Sequence, residues 1–286
     1  MTTRTYTFRP LTFAELDVLV SWAAQEGWNP GLDDAQLFWN TDPEGFYGYF
    51  EGDRMIGGGS IVSYGGQFGF MGFFIVHPDY RSHGIGRSLW MERRTTLLNR
   101  LQEGATIGMD GVVAMQGFYQ KGGFQIAFRD ERYVRLGVPF DLNPQVRKIT
   151  ESDYDTVAKM DTACFGVARE SFLRPWLFAP HAQSFCYVDP KGLHGFAVVR
   201  KCQEGYKIGP LFAETTAVAR ALYEACLNAA PGESVSLDIP TTHEGARQLV
   251  ADYGATYVFE CARMYYGTPP ETKASAVFGI SSFELG

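Results

Sequence analysis

The segment Arg147-Lys148-Ile149-Thr150-Glu151-Ser152-Asp153 repeats the pattern of Arg9-Pro10-Leu11-Thr12-Phe13-Ala14-Glu15. In both, an apolar residue precedes a threonine, and an acid follows three positions later. This is the form of a capping box, in which hydroxyl and carboxylate satisfy the first free N–H groups of a helix. A chain of 286 residues that restarts halfway folds as two similar units, each large enough to build its own core. Residues 1–137 form the first unit, 138–146 a proline-containing linker and 147–268 the second unit. Residues 269–286 form a tail whose apolar stretch, with a strand near 277–283, is expected to pack on one of the sheets.

The first unit reads as mixed α/β. A short strand spans 5–9, and Leu16, Leu19, Val20 and Ala23 follow at helical spacing. Glu26-Gly27-Trp28-Asn29-Pro30-Gly31 cannot continue that helix. Strands at 46–51 and 55–64 are joined by Gly52-Asp53, and Gly65-Gly66 turns into a third at 68–76. The third becomes apolar on both faces, as a central strand does. A helix carries Leu89, Trp90, Arg93, Leu97 and Leu101 on one face. A strand at 105–109, a short helix at 116–122 and closing strands at 124–128 and 132–136 complete the unit.

Between the third strand and its helix lies His77-Pro78-Asp79-Tyr80-Arg81-Ser82-His83-Gly84-Ile85-Gly86-Arg87-Ser88. A buried strand entering a glycine loop that opens a helix is an anion cradle. Free N–H groups and the positive end of the helix dipole meet there. Glycines let a diphosphate approach the backbone, and Arg81 and Arg87 add charge. No Gly-Lys-[Ser/Thr] follows, so this is not a P-loop of the Walker type. The third glycine of the dinucleotide fingerprint falls at Leu89, so that reading fails too.

These residues resemble the GNAT superfamily of acyl-CoA-dependent N-acetyltransferases. Arg81-Ser82-His83-Gly84-Ile85-Gly86 matches the coenzyme A loop, and Val76-His77-Pro78-Asp79-Tyr80-Arg81 matches its lead-in. Phe118-Tyr119-Gln120-Lys121-Gly122-Gly123-Phe124 matches the later tyrosine motif. The resemblance covers residues 4–137 and implies acetyl-CoA as co-substrate. Ser82 to Ser88, with Arg81, would hold the pyrophosphate. The N–H near Ile75 or Val76 would polarise the thioester carbonyl. Tyr119 would protonate the departing thiolate, and the amine would attack directly. Glu26 and Asp110 are level candidates for the base, with His77 below them. Trp22, Trp28 and Asn29 are expected to line the acceptor pocket of a small primary amine.

The second unit has lost the cradle. Gly84-Ile85-Gly86 aligns with Ala217-Val218-Ala219, Arg81 falls opposite Glu214, and Tyr119 falls opposite Arg247. Met109-Asp110 aligns with Leu237-Asp238. The expected fold is therefore two tandem GNAT-like domains, each a mixed twisted sheet flanked by helices, the second degenerate. This resembles a bacterial two-domain subgroup of the family.

Composition narrows the function further. The net charge of −7 argues against a nucleic-acid partner and leans toward a cationic acceptor. No apolar window is long enough to span a membrane, and residues 1–6 carry no leader-like run. A cytoplasmic enzyme is expected, with a homo-oligomer left open. Five cysteines without a CxxC pair read as buried apolar side chains. No spacing of His and Cys suggests a metal. A longer acyl donor, or a non-catalytic coenzyme A or metabolite sensor, remains the alternative.

Overall fold

The computed structural model describes residues 6–81 and 84–286. Thr5, Ser82 and His83, named above, lie outside them. In the first half, β1 (Thr7–Pro10), α1 (Phe13–Gln25), α2 (Asp34–Thr41), β2 (Phe46–Glu51), β3 (Arg54–Tyr64) and β4 (Phe68–Val76) precede α3 (Ile85–Leu98). Then come β5 (Thr106–Val112), α4 (Gln116–Lys121) and β6 (Gln125–Leu136). The second half repeats the series. It comprises β7 (Val146–Lys148), α5 (Tyr154–Phe165), α6 (Glu170–Leu177), β8 (Ala182–Asp189), β9 (Gly192–Lys201), β10 (Tyr206–Ala213), α7 (Thr216–Asn228), β11 (Ser234–Pro240), α8 (Glu244–Asp252) and β12 (Thr256–Tyr266). A thirteenth strand, β13 (Val277–Gly279), lies in the tail.

Both capping boxes are formed. The Thr12 hydroxyl accepts from the Glu15 N–H, and the Glu15 carboxylate accepts from the Thr12 N–H at 2.8 Å. Asp153 closes on the Thr150 N–H at 2.9 Å in the same way. An arginine secures each acid, Arg9 on Glu15 and Arg147 on Asp153. The Arg9 guanidinium holds the Glu15 carboxyl down at about 2.

The thirteen strands of the described residues belong to one sheet, in the order β1-β2-β3-β4-β5-β12-β6-β11-β10-β9-β8-β7, with β13 added against β10. Reversing the order and exchanging the two halves leaves the sheet unchanged. The halves are thus related by a pseudo-two-fold axis between β6 and β12. The expected closing strands at 124–128 and 132–136 are one continuous strand, and it does not close its own sheet. β6 pairs along β11, from Leu136↔Ser234 to Asp130↔Pro240. β12 pairs with β5, from Ile107↔Tyr266 to Val112↔Cys261. Each half therefore completes the sheet of the other.

The helices cover both faces. One buried cluster joins α1 and α2 to α5 and α6, through residues such as Leu19, Phe38, Phe172 and Trp176, so the two halves share a core. On the opposite face α3 and α7 cover their own halves with Leu89 and Leu222. The short helix α2 was not expected from the sequence. It starts at Asp34, whose carboxylate accepts the Gly31 N–H at 2.7 Å and is paired with Arg200 of the second half.

β4 and β5 run parallel and pair only as far as Met71↔Met109. β10 and β11 do the same as far as Ile208↔Leu237. Beyond these points each pair parts and leaves a wedge.

Candidate functional site

The first wedge opens at a bulge. The β3–β4 register shifts between Gly58 and Ser60, and Phe73 adopts φ +48°. Arg93 of α3, fully buried, holds this kink by donating from Nη2 to the carbonyls of Gly72 (2.7 Å) and Ser60. Burial pulls its guanidinium down to about 9, and among the described residues Nε and Nη1 have no hydrogen-bond partner. Beyond the bulge the His77 N–H donates to Ile56 on β3 at 2.9 Å. Alternation along the strand turns the Ile75 N–H to β3 as well and the Val76 N–H into the wedge. The Val76 carbonyl, pointing the same way, accepts from Arg81 Nε at 2.9 Å.

At the mouth of the wedge α3 begins. Gly84, at φ +79°, precedes its first turn, and among the described residues no side chain caps it. That backbone conformation strains any residue with a Cβ. The N–H groups of Arg87 and Ser88 bond back to the Gly84 carbonyl. Those of Ile85 and Gly86 point out of the helix end, as the first N–H groups of a helix do. A Cβ on Gly86 would stand 3.6 Å from Phe74 and Val76, between the helix and the wedge. In the second half the residue at the matching cap position is Thr215, two positions before the Ala217 expected opposite Gly84. Its hydroxyl accepts the Val218 N–H at 3.3 Å and closes the helix end.

A cavity of about 560 Å³ fills the first wedge. Met71 to Val76 form one wall, Met109, Asp110 and Val112 the other, and Tyr119 of α4 lines it as well. Tyr119 packs against Trp90 and Phe118. Burial raises its phenol to about 12, so the ring enters the neutral range as a proton donor.

Of the other expected residues, Glu26, Trp28, Asp110 and Arg81 line the cavity. Glu26 is paired with Arg81. Both oxygens of Asp110 accept from Arg263, at 2.7 and 2.9 Å. Burial nevertheless pushes that carboxyl up to about 6. Arg87 and Ser88 are exposed on the first turn of α3. Trp22 and Asn29 do not line the cavity. Trp22 packs edge-on against His77, and Asn29 exchanges two hydrogen bonds with the Glu204 backbone, at 2.7 and 2.9 Å. His77 is also away from the cavity, its Nδ1 accepting from the Asp79 N–H.

The second half completes the site. Loop 26–33 rests on the β9–β10 hairpin, where Lys207 Nζ donates to the Trp28 carbonyl at 2.8 Å. Leu32 and Gln203 add backbone bonds across the same junction. Arg132, Phe259 and Cys261 on the exchanged strands, and Phe283 and Glu284 of the tail, line the cavity. None of these five was expected in the site. The repeat shows two units, but nothing local in sequence says that their last strands trade places.

The tail explains the fate of the other wedge. β13 lies antiparallel on β10, Leu211↔Gly279 and Phe212↔Val277, and Ile280 N–H donates to Asp238 on β11 at 2.9 Å. The segment thus enters the space that stays open between β4 and β5. A cavity of about 100 Å³ remains there, bordered by Val277, Ile280 and Ser281. The same segment then crosses to the first wedge.

The fold and site define an acyltransferase of two coupled halves, and the chain belongs to the GNAT acetyltransferase family. The pattern of the Acetyltransferase (GNAT) family matches residues 13–124, and that of an Acetyltransferase (GNAT) domain matches 157–279. A holothin acyltransferase from Pseudoalteromonas sp. (strain SANK 73390) is 30% identical over 285 residues, covering 99% of this chain and 95% of that one. A candidate acetyltransferase from Pyrococcus horikoshii shares the fold over 100% of this chain and 98% of its own, with a TM-score of 0.85 at 22% identity. A tandem GNAT protein from the clavulanic acid biosynthesis pathway does so over 92% and 98%, with a TM-score of 0.66 at 14% identity. Among the described residues no helix is long and apolar enough to cross a membrane, and no group of side chains is arranged to hold a metal ion.

Proposed function

We propose that the first half transfers the acetyl group of acetyl-CoA to the amino group of a small primary amine. The observation that carries this reading is the continuity of the first wedge. The cavity that holds Tyr119 runs along the parting strands toward a helix start that, among the described residues, no side chain caps. The residues present fit an acyl-CoA. Gly84 and Gly86 leave the helix end open to a diphosphate, and Arg81 and Arg87 stand beside it. When bound, the thioester supplies the activated acyl group.

The chain's own groups would then act as follows. The Val76 N–H is aimed into the wedge to polarise a carbonyl there. The Phe73 kink, held by Arg93, sets where that N–H points. Tyr119, kept protonated by burial, gives its proton to the departing sulfur. Direct transfer needs no covalent enzyme intermediate, and all five cysteines are buried. The second half supplies walls rather than a second catalytic site, because the tail fills its wedge.

The walls favour an acceptor with an apolar body, since Trp28, Phe73, Phe259 and Phe283 face the cavity. Holothin, which stands in the relative's name, joins the amines in the first panel of acceptors. The test is thiol release from acetyl-CoA across that panel, with Tyr119→Phe beside wild type. We expect turnover of at least one apolar amine and a loss on the order of 10²-fold or more in the variant. Absence of acetyl-CoA binding by calorimetry would overturn the reading.

A further inference from the structure

Three carboxylates line the first cavity: Glu26, Asp110 and Glu284. Glu26 is engaged by Arg81, and Asp110 is held through both oxygens by Arg263. Glu284 is 7% exposed, and among the described residues its carboxylate receives no hydrogen bond and forms no ion pair. Asp110 on β5, Arg132 on β6 and Lys207 on β10 are near enough to feel its charge. Arg132 is committed to Asp238, and Lys207 to the Trp28 carbonyl.

The backbone of Glu284 is fixed at the place where chemistry is expected. Its carbonyl lies so close to Gly72 that a Cβ there would stand 2.1 Å from it. Ser60 Oγ accepts the Gly72 N–H at 2.9 Å and donates to the Glu284 carbonyl at 3.5 Å. The next carbonyl, of Leu285, accepts from Tyr64 Oη at 2.8 Å, and that of Gly286 from Arg169 Nη1 at 2.8 Å. The tail therefore delivers a buried, uncommitted carboxylate beside the residue that precedes the Phe73 kink.

Resting on the acyl-transfer reading above, we propose that Glu284 takes the proton from the acceptor's ammonium group. In this step a proton passes from nitrogen to the Glu284 carboxylate. The freed lone pair forms the C–N bond at the thioester carbon. The C–S bond breaks with its electron pair on sulfur, which takes the Tyr119 proton. The nitrogen's next proton restores Tyr119, and the proton on Glu284 leaves to solvent. One amide, one thiol and one proton result.

The test compares phenethylamine, which is protonated at neutral pH, with aniline, which is not. Glu284→Gln and Glu284→Asp are measured beside wild type, with thermal melts to check folding and calorimetry with acetyl-CoA to check donor binding. Failure of wild type to bind acetyl-CoA sinks the acyl-transfer reading and this proposal with it. Equal donor affinity in wild type and E284Q, with a selective loss, supports the proposal. We expect kcat for phenethylamine to fall on the order of 100-fold in E284Q at pH 7, with the deficit shrinking as pH rises toward the amine's own pKa. Aniline turnover should change by less than about threefold, and E284D should be intermediate. Equal losses on both amines, or none, overturn the proposal. If wild type turns over neither amine, calorimetry on the coenzyme A-loaded protein decides. Phenethylamine binding weakened about tenfold or more by E284Q supports it, and no binding or no difference overturns it.

Discussion

Arg263 on β12 donates to both carboxylate oxygens of Asp110 on β5, from Nε at 2.7 Å and from Nη2 at 2.9 Å. Its mirror is Arg132 on β6, which holds Asp238 on β11 at 2.6 and 2.7 Å. Each pair ties a strand at the edge of a wedge to the strand received from the other half. Both pairs are buried, so removing one partner leaves a charge without compensation. Arg263→Met should cost about 3–5 kcal/mol in urea unfolding, while pairing it with Asp110→Leu should recover much of that loss. Equal stabilities of the single and double variants would show that the pair does not couple the strands.

The strand exchange predicts that neither half folds by itself. A 1–137 fragment would leave one edge of β5 unpaired and β6 without either neighbour. We expect poorly dispersed amide NMR spectra for that fragment and for 138–286 separately. Mixed or co-expressed, they should elute together with native-like spectra. A well-dispersed spectrum from 1–137 alone would count against the exchange.

Gly84→Ala places a methyl at φ +79°, a conformation costing about 1 kcal/mol or more for a residue with a Cβ. Acetyl-CoA affinity should fall about tenfold by calorimetry, with little change in melting temperature. Thr215→Gly should not create a second binding site, because the tail occupies that wedge. A stoichiometry of two in T215G would contradict this.

Asp130 sits near the pseudo-two-fold axis opposite Cys261, fully buried, and among the described residues neither of its carboxylate oxygens has a hydrogen-bond partner. Burial pushes its carboxyl well above the ordinary 3.8, and nearby Asp110 adds to the shift. The folded state therefore binds a proton that the unfolded chain gives up. Stability from this group is full below about pH 3.8 and is lost as pH rises toward the folded-state value. Asp130→Asn should remove that decline and be more stable than wild type at pH 8, by on the order of 1–3 kcal/mol. Parallel stability–pH curves for the two proteins would refute the assignment.

The parts legible in the sequence are those set by near neighbours. Thr12 and Glu15 are three residues apart, so their box can be read directly, as can that of Thr150 and Asp153. The run from Phe73 to Ser88 announces a strand, a turn and an open helix start because each property depends on adjacent residues. Tyr119 belongs to a short motif of the same kind. Asn29 lies outside the cavity because its loop takes its shape from Glu204 and Lys207, which lie far along the chain, and Trp22, on α1, turns to His77 instead. β6 alternates like any half-buried strand, and alternation does not name a pairing partner. Glu284 lies in an apolar tail, where nothing nearby in sequence marks a carboxylate as part of a distant cavity.

The traded strands also bear on how such a gene can change after its duplication. The second copy has a stoppered wedge and a closed helix cap, yet deleting it would strip β12, Phe259 and Glu284 from the working half. The second copy can lose its own wedge and still be required, because its strand and tail form part of the first copy's cavity.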